Sequence, residues 1–188
     1  GPIPEPIREG LFFLHALAHK LRKERMHRGA IAFERPEVKV QVDEKGVPLS
    51  IQVMELLDSH WLIEEFMLLA NREVAEFINK KKDKKTGKAP TFVYRVHEAP
   101  AEDKITAFRN FVHHFGYEMK QTKTVREYAR ELNRLLEKTK EKPESGGIII
   151  MALRSMARAH YTTNNVGHYG LAFDHYTHFT SPIRRYSD

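Results

Sequence analysis

The sequence predicts an α+β fold, with several helices packed around a small, mostly antiparallel sheet. Three observations carry this. Apolar residues recur at alternating spacings of three and four in four separate stretches, as one face of a helix requires. Two short stretches alternate apolar and polar with period two across a turn, as paired strands do. Glycine or proline stands at most of the junctions. A length of 188 residues, 41% hydrophobic and 30% charged, suits one domain with a real core.

The elements follow in order. Ile7, Leu11, Leu14, Ala18 and Leu21 form one helical face over residues 7–28. Lys20, Arg22, Lys23, Arg25 and Arg28 crowd its last turns, where the helix dipole is negative, and Gly29 stops it. Residues 30–33 read as a short strand. Val38, Val40 and Val42 alternate with polar neighbours, Asp43-Glu44-Lys45-Gly46 turns the chain, and Leu49, Ile51 and Val53 continue the alternation. That is a half-buried β-hairpin. Asp58 or Ser59 caps a long helix, whose predicted buried stripe is Leu62, Phe66, Leu69, Ala70, Val74 and Phe77. Residues 92–96 form another strand. Ile105, Phe108, Val112 and Phe115 mark a helix closed by Gly116, and Val125, Tyr128, Leu132 and Leu135 mark the next, ending near Pro143. Gly146-Gly147 breaks the chain, and residues 148–159 form a helix apolar on nearly every side at its start.

Composition excludes more than it assigns. No uncharged apolar run is long enough to span a bilayer. The start, Gly1-Pro2-Ile3-Pro4-Glu5-Pro6, lacks the pattern of a signal peptide; Gly1-Pro2 suggests a cut in a longer sequence. With no cysteine, disulfides and thiolate metal sites are excluded, which is compatible with a reducing cytoplasm. The formal charge of +6 permits a polyanionic partner without requiring one. Much of the excess lies in Lys80, Lys81, Lys82, Lys84, Lys85 and Lys88, which read as a solvated helix end and loop.

Residues 167–188 change character. They are rich in His, Tyr, Phe and Thr, without simple periodicity. Ser181 suits an N-cap and Pro182 the first helical position. The first turn of that helix, with Arg184 and Arg185 beside it, has the chemistry of a phosphate site. The same residues also suit a capped helix whose arginines pair with acids, and the residues alone do not separate the two.

The run His178-Phe179-Thr180-Ser181-Pro182-Ile183-Arg184-Arg185-Tyr186, followed by Asp188, resembles the signature of the ribonuclease R/ribonuclease II catalytic domain, the RNB domain. Gly167-His168-Tyr169-Gly170-Leu171 is similar to the family just upstream. So, in family order, are Leu153-Arg154-Ser155-Met156, Tyr94-Arg95-Val96-His97-Glu98, the run from Leu62 to Asn71, and Arg28-Gly29-Ala30-Ile31 with Phe33-Glu34-Arg35-Pro36-Glu37. The doubled arginine and the Tyr-Arg-Val-His element place the resemblance nearer ribonuclease R.

This resemblance implies a cytoplasmic, hydrolytic and processive 3′→5′ exoribonuclease that degrades single-stranded RNA to nucleoside monophosphates. It implies catalytic roles for Arg184, holding the scissile phosphate, and Glu65, contacting the terminal ribose; a 2′-hydroxyl contact is how a protein tells RNA from DNA. Phe33 matches the aromatic that stacks on the terminal base, an interaction contributing about 1–3 kcal/mol. From the residues alone Phe33 reads as a core residue at a strand end. Periodicity likewise does not choose between Glu64 and Glu65. Arg185, His168, Tyr176, Thr180 and Ser181 are further candidate RNA contacts. Each has a structural alternative, a local turn bond for His168, the N-cap for Ser181 and an ion pair for Arg185.

One departure matters. The family's hydrolysis uses Mg²⁺ held by closely spaced aspartates, and Asp43, Asp58, Asp83, Asp103, Asp174 and Asp188 are scattered. The expectation is a partial RNB catalytic domain over residues 1–188, its C-terminal portion, lacking the upstream aspartates and the flanking RNA-binding barrels. Its Mg²⁺ ligands lie outside this chain, and it is inactive alone. A member that has lost catalysis and binds RNA is the alternative. Among eleven histidines, His15 and His19 sit four apart and His175 and His178 three apart. No accompanying acid completes a recognised zinc motif, so no metal ligand is assigned within the chain. No membrane association or obligate protein partner is inferred.

Overall fold

The computed structural model describes residues 4–33, 37–54, 57–83, 85–87 and 89–181. The elements are α1 (Glu5–Arg28), β1 (Glu37–Val42), β2 (Pro48–Met54), α2 (Asp58–Lys80), β3 (Tyr94–Val96), α3 (Glu102–His113), α4 (Val125–Thr139), α5 (Ser145–Ser155), β4 (His160–Thr162) and a 3₁₀ turn at Tyr169–Leu171. The α+β class holds. The strands, however, form two separate antiparallel pairs, β1 with β2 and β3 with β4. No described helix is long and apolar enough to cross a membrane.

The chain divides into two compact units, residues 1–22 with 33–66, and residues 23–32 with 67–188. In the first, Val38 faces Val53 and Val40 faces Ile51 across the hairpin. Asp43 Oδ1 accepts from the amides of Lys45 and Val47, both at 2.8 Å, which shapes the turn, and Gly46 takes φ +80°. The expected half-burial is not found. Val40 is 48% exposed and Ile51 71%, because no described element covers either face.

The second unit holds most of the core. Helices α3 and α4 both pack on α5, burying Phe108, Val112, Tyr128, Leu132, Ile148 and Ala152. Thr124 caps α4 by accepting from the Glu127 amide at 3.2 Å, and the Glu127 carboxylate accepts from the Lys123 amide at 2.8 Å, which ties down the entering chain. Two readings are corrected here. Gly146 and Gly147 lie inside α5, and that helix is buried on one face only, since Ile150 is 44% exposed. Strand β4 has no apolar period that would announce it; its pairing with β3 makes it.

The predicted strand at residues 30–33 is an extended segment without a ladder. Asn133 replaces the missing neighbour. Its Nδ2 donates to the Ala30 carbonyl at 2.7 Å and its Oδ1 accepts from the Ala32 amide at 3.1 Å, while the Ile31 amide donates to the Gly170 carbonyl at 2.9 Å. Gly29, at φ +103°, ends α1 as expected. On α2 the buried face is rotated from the predicted stripe. Glu65, Leu68, Asn71 and Ala75 are buried and Phe77 is 56% exposed. The lysines at 81 and 82 are exposed, as a solvated helix end should be, with Lys81 Nζ over the Phe77 ring at 4.4 Å.

Candidate functional site

The segment at residues 167–181 lies against β3 and the second half of α2. Backbone bonds fix its start. The His97 amide donates to the Gly167 carbonyl at 3.0 Å and the Tyr169 amide to the His97 carbonyl at 2.8 Å. Gly170 then passes so close to His97 that an added Cβ would meet its Nδ1 at 2.9 Å and force the ring to shift. The Gly170 amide donates to that Nδ1 at 3.2 Å. His97 Nε2 therefore carries the proton and donates to the Ala157 carbonyl, 3.0 Å away.

The second half is held by Asn71. Its Oδ1 accepts from the amides of Phe179 and Thr180 at 2.8 and 2.9 Å, and from Thr180 Oγ1 at 3.2 Å. Its Nδ2 donates to the Tyr176 hydroxyl at 3.2 Å. Thr177 Oγ1 donates to the Val93 carbonyl at 2.9 Å, and the Arg95 amide to the Tyr176 carbonyl at 2.9 Å. A buried asparagine on a helix is costly unless its amide is used; here both its oxygen and its nitrogen are bonded.

Rings pack edge to face along the same path. His97 meets His168 at 5.1 Å, His168 meets Tyr176 at 5.2 Å, Tyr176 meets His178 at 5.7 Å and His178 meets Tyr161 at 5.6 Å. The Tyr161 hydroxyl and His178 Nδ1 share a hydrogen bond of 2.6 Å, and the Arg95 guanidinium sits 4.8 Å over the Tyr161 ring. Beside the segment lies a cleft of about 290 Å³ lined by Arg28, Arg126, His97, His168, Tyr169 and Asp174 among others.

The structure sorts the candidates. Arg184 and Arg185 lie outside the described residues. Glu65 is buried, 3% exposed, while Glu64 is exposed. Arg22 Nη1 stands 4.0 Å from the Glu65 carboxylate and its guanidinium 4.4 Å over the Trp61 ring. Phe33 is half-buried and follows an extended segment rather than a strand end. Thr180 and Ser181 are half-buried, and Phe179 is 45% exposed.

Two further candidates are tied into the fold. His168 caps the 3₁₀ turn, its Nδ1 accepting from the Leu171 amide at 3.3 Å. Burial of the ring, chiefly, with the neighbouring His97 and the charge of Arg95 acting the same way, pushes its pKa from 6.5 down to about 3. It is neutral near pH 7, and its turn bond is in place. Tyr176 is 5% exposed and packs with Leu68 and Phe173.

Asn71, His97 and Tyr161 escaped the residue-by-residue reading. The signal for Asn71 was available, as an amide inside an otherwise apolar helical run. Among the described residues no group of three carboxylates converges; the one cluster of potential metal ligands is His15, His19 and Asp58. Such a set does not fit Mg²⁺, which prefers oxygen ligands.

Residues 4–188 match the family described as the RNB domain, and the chain belongs to that family. It is 38% identical to Ribonuclease R of Aquifex aeolicus (strain VF5) over 96% of this chain and 24% of that protein. It is 40% identical to Ribonuclease R of Thermotoga maritima over 98% of this chain and 25% of the relative. The fold is similar to that of Mycoplasma genitalium RNase R in complex with ribose methylated single-stranded RNA, with a TM-score of 0.84 at 28% identity, covering 100% of this chain and 28% of that one. The chain thus spans about a quarter of the length of these relatives.

Proposed function

We propose that this chain is the C-terminal portion of an RNB catalytic domain. The complete protein is a hydrolytic, processive 3′→5′ exoribonuclease that degrades single-stranded RNA to nucleoside monophosphates. The observation that carries the reading is the collinear family match over residues 4–188, which brings the whole motif segment with it. Relatives named for ribonuclease activity favour the enzyme over a member that has lost catalysis.

In this reading Glu65 accepts from the 2′-hydroxyl of the terminal ribose, which selects RNA. Phe33 stacks on the terminal base, whatever its identity. Arg184 stabilises the charge that grows on the phosphoryl oxygens, and Arg185, Thr180 and Ser181 add backbone contacts. The packed ring chain and Asn71 hold the segment leading into these groups, so little reorganisation is needed on binding. Bound Mg²⁺ supplies the activated water; its ligands belong to another part of the protein, and this piece alone binds RNA weakly without cleaving it. The setting is cytoplasmic.

The test uses the complete protein, a 5′-labelled single-stranded RNA and Mg²⁺, with products resolved on a sequencing gel. Progressive shortening from the 3′ end to a small labelled remnant is expected. RNA that is bound yet stays intact would instead support the non-catalytic member.

A further inference from the structure

The sequence offered His15 and His19 without an acid to complete a site. The fold supplies one. Asp58, 43 residues after His15, stands at the first position of α2, and its carboxylate faces both imidazoles. We infer that His15 Nε2, His19 Nε2 and Asp58 Oδ2 form a binding site for a divalent transition ion of the Zn²⁺ class, which clasps the start of α2 to α1.

The geometry is that of a coordination face. The His15–His19 nitrogens are 3.0 Å apart, His15 Nε2 is 3.1 Å from Asp58 Oδ2, and His19 Nε2 is 3.7 Å from the same oxygen. Bond lengths of 2.0–2.1 Å around a tetrahedral Zn²⁺ place neighbouring ligand atoms about 3.3 Å apart. Three edges scattered about that value leave one position for water.

Hydrogen bonding does not account for the cluster equally well. A ring nitrogen carries either a proton or a lone pair in its plane. If His15 Nε2 is protonated it donates to Asp58, and then offers nothing to the His19 nitrogen. If it is not, it faces the carboxylate with a lone pair. One ion accepts all three lone pairs at once. The donor set, two imidazoles and one carboxylate, suits Zn²⁺, Co²⁺ or Ni²⁺ over Mg²⁺ or Ca²⁺.

Placement on the helices gives the ion its role. His15 and His19 are one turn apart and share a face of α1, and Arg22 continues that face. Contacts advance in the same order along α2, from Asp58 to Trp61 and Glu65. The chain between makes the hairpin excursion, so an ion at residue 58 closes a long loop at its base, two turns ahead of Glu65. The three side chains are about half exposed (41%, 48% and 54%), open to an entering ion. The inference is independent of the nuclease reading.

The test is a Co²⁺ titration of the 188-residue chain followed by its visible d–d absorption. One saturable equivalent is expected, displaced by Zn²⁺ and unaffected by excess Mg²⁺. His15→Ala and His19→Ala should each weaken it at least about tenfold, and the near-isosteric Asp58→Asn should weaken it too. Far-UV circular dichroism without metal should be the same for all of them, as these residues are exposed. Zn²⁺ should raise the thermal midpoint of the wild type and not of His19→Ala. Absence of a saturable band, equal displacement by Mg²⁺, or a band that survives in the His15→Ala/His19→Ala double variant would overturn the site. Binding without a rise in the midpoint would overturn the clasp.

Discussion

In the hairpin of β1 and β2, a ladder with one register shift between Gln41 and Val42 holds two strands whose apolar side chains stay open; Leu49 is 67% and Val53 62% exposed. In the segment at residues 167–181 there is almost no ladder, only single bridges at His168, yet Thr177 is fully buried and Tyr176 nearly so. The hairpin has period and no partner among the described residues. The segment has partners and no period. Amphipathic alternation states which face is able to bury. Burial itself requires a second surface, and in the segment that surface is polar and specific, made of Asn71, the β3 backbone and a file of rings.

The contrast can be broken in graded steps. The largest loss belongs to the packed helices of the same unit. Phe108→Ala removes a 1% exposed ring and should cost about 3–5 kcal/mol in urea unfolding. Asn71→Ala comes next, at about 3 kcal/mol, because two backbone amides and two hydroxyls lose their partner together. Gly170→Ala forces a methyl against His97 and should cost about 1–3 kcal/mol, with a lower melting temperature as the readout.

Acidification reports on His168. Its folded pKa of about 3 lies below the unfolded 6.5, so the unfolded chain binds the extra proton. The stability that His168 contributes is complete above pH 6.5 and is lost as pH falls toward 3. Asn keeps a side-chain acceptor without that titration, so thermal melts of His168→Asn across this window should slope less steeply than wild type. The smallest effect belongs to the hairpin. Val40→Thr, on an exposed strand, should change stability by less than about 0.5 kcal/mol in urea unfolding. A large cost there would mean that the strand face is covered.

The helices were legible because their apolar positions repeat, and Gly29, Gly46 and Gly116 were legible as stops and turns because each takes a positive φ. The face of α2 was misread for the converse reason. Glu65 and Asn71 are buried by their partners, and hydropathy counts both as surface. Residues 30–33 looked like a strand, but Ala30 and Ala32 bond the Asn133 side chain in place of a neighbouring strand. For the candidate site, the turn bond of His168 was among the alternatives the residues offered, and the core place of Tyr176 was not. His168 is held neutral by burial and Tyr176 sits in the core, and both follow from tertiary contacts that no spacing encodes. Asp58 was legible only as a helix start until the fold set it beside two histidines.

The most direct test of the account compares Asn71→Ala with Asn71→Asp in the complete protein, measuring turnover on a 5′-labelled single-stranded RNA. Aspartate keeps the oxygen that receives the Phe179 and Thr180 amides; alanine does not. Turnover reduced at least about tenfold in Asn71→Ala and largely restored in Asn71→Asp is the predicted result, given that small displacements of positioning groups can cost about a hundredfold in rate. Wild-type turnover in Asn71→Ala would contradict the claim that this residue positions the motif segment.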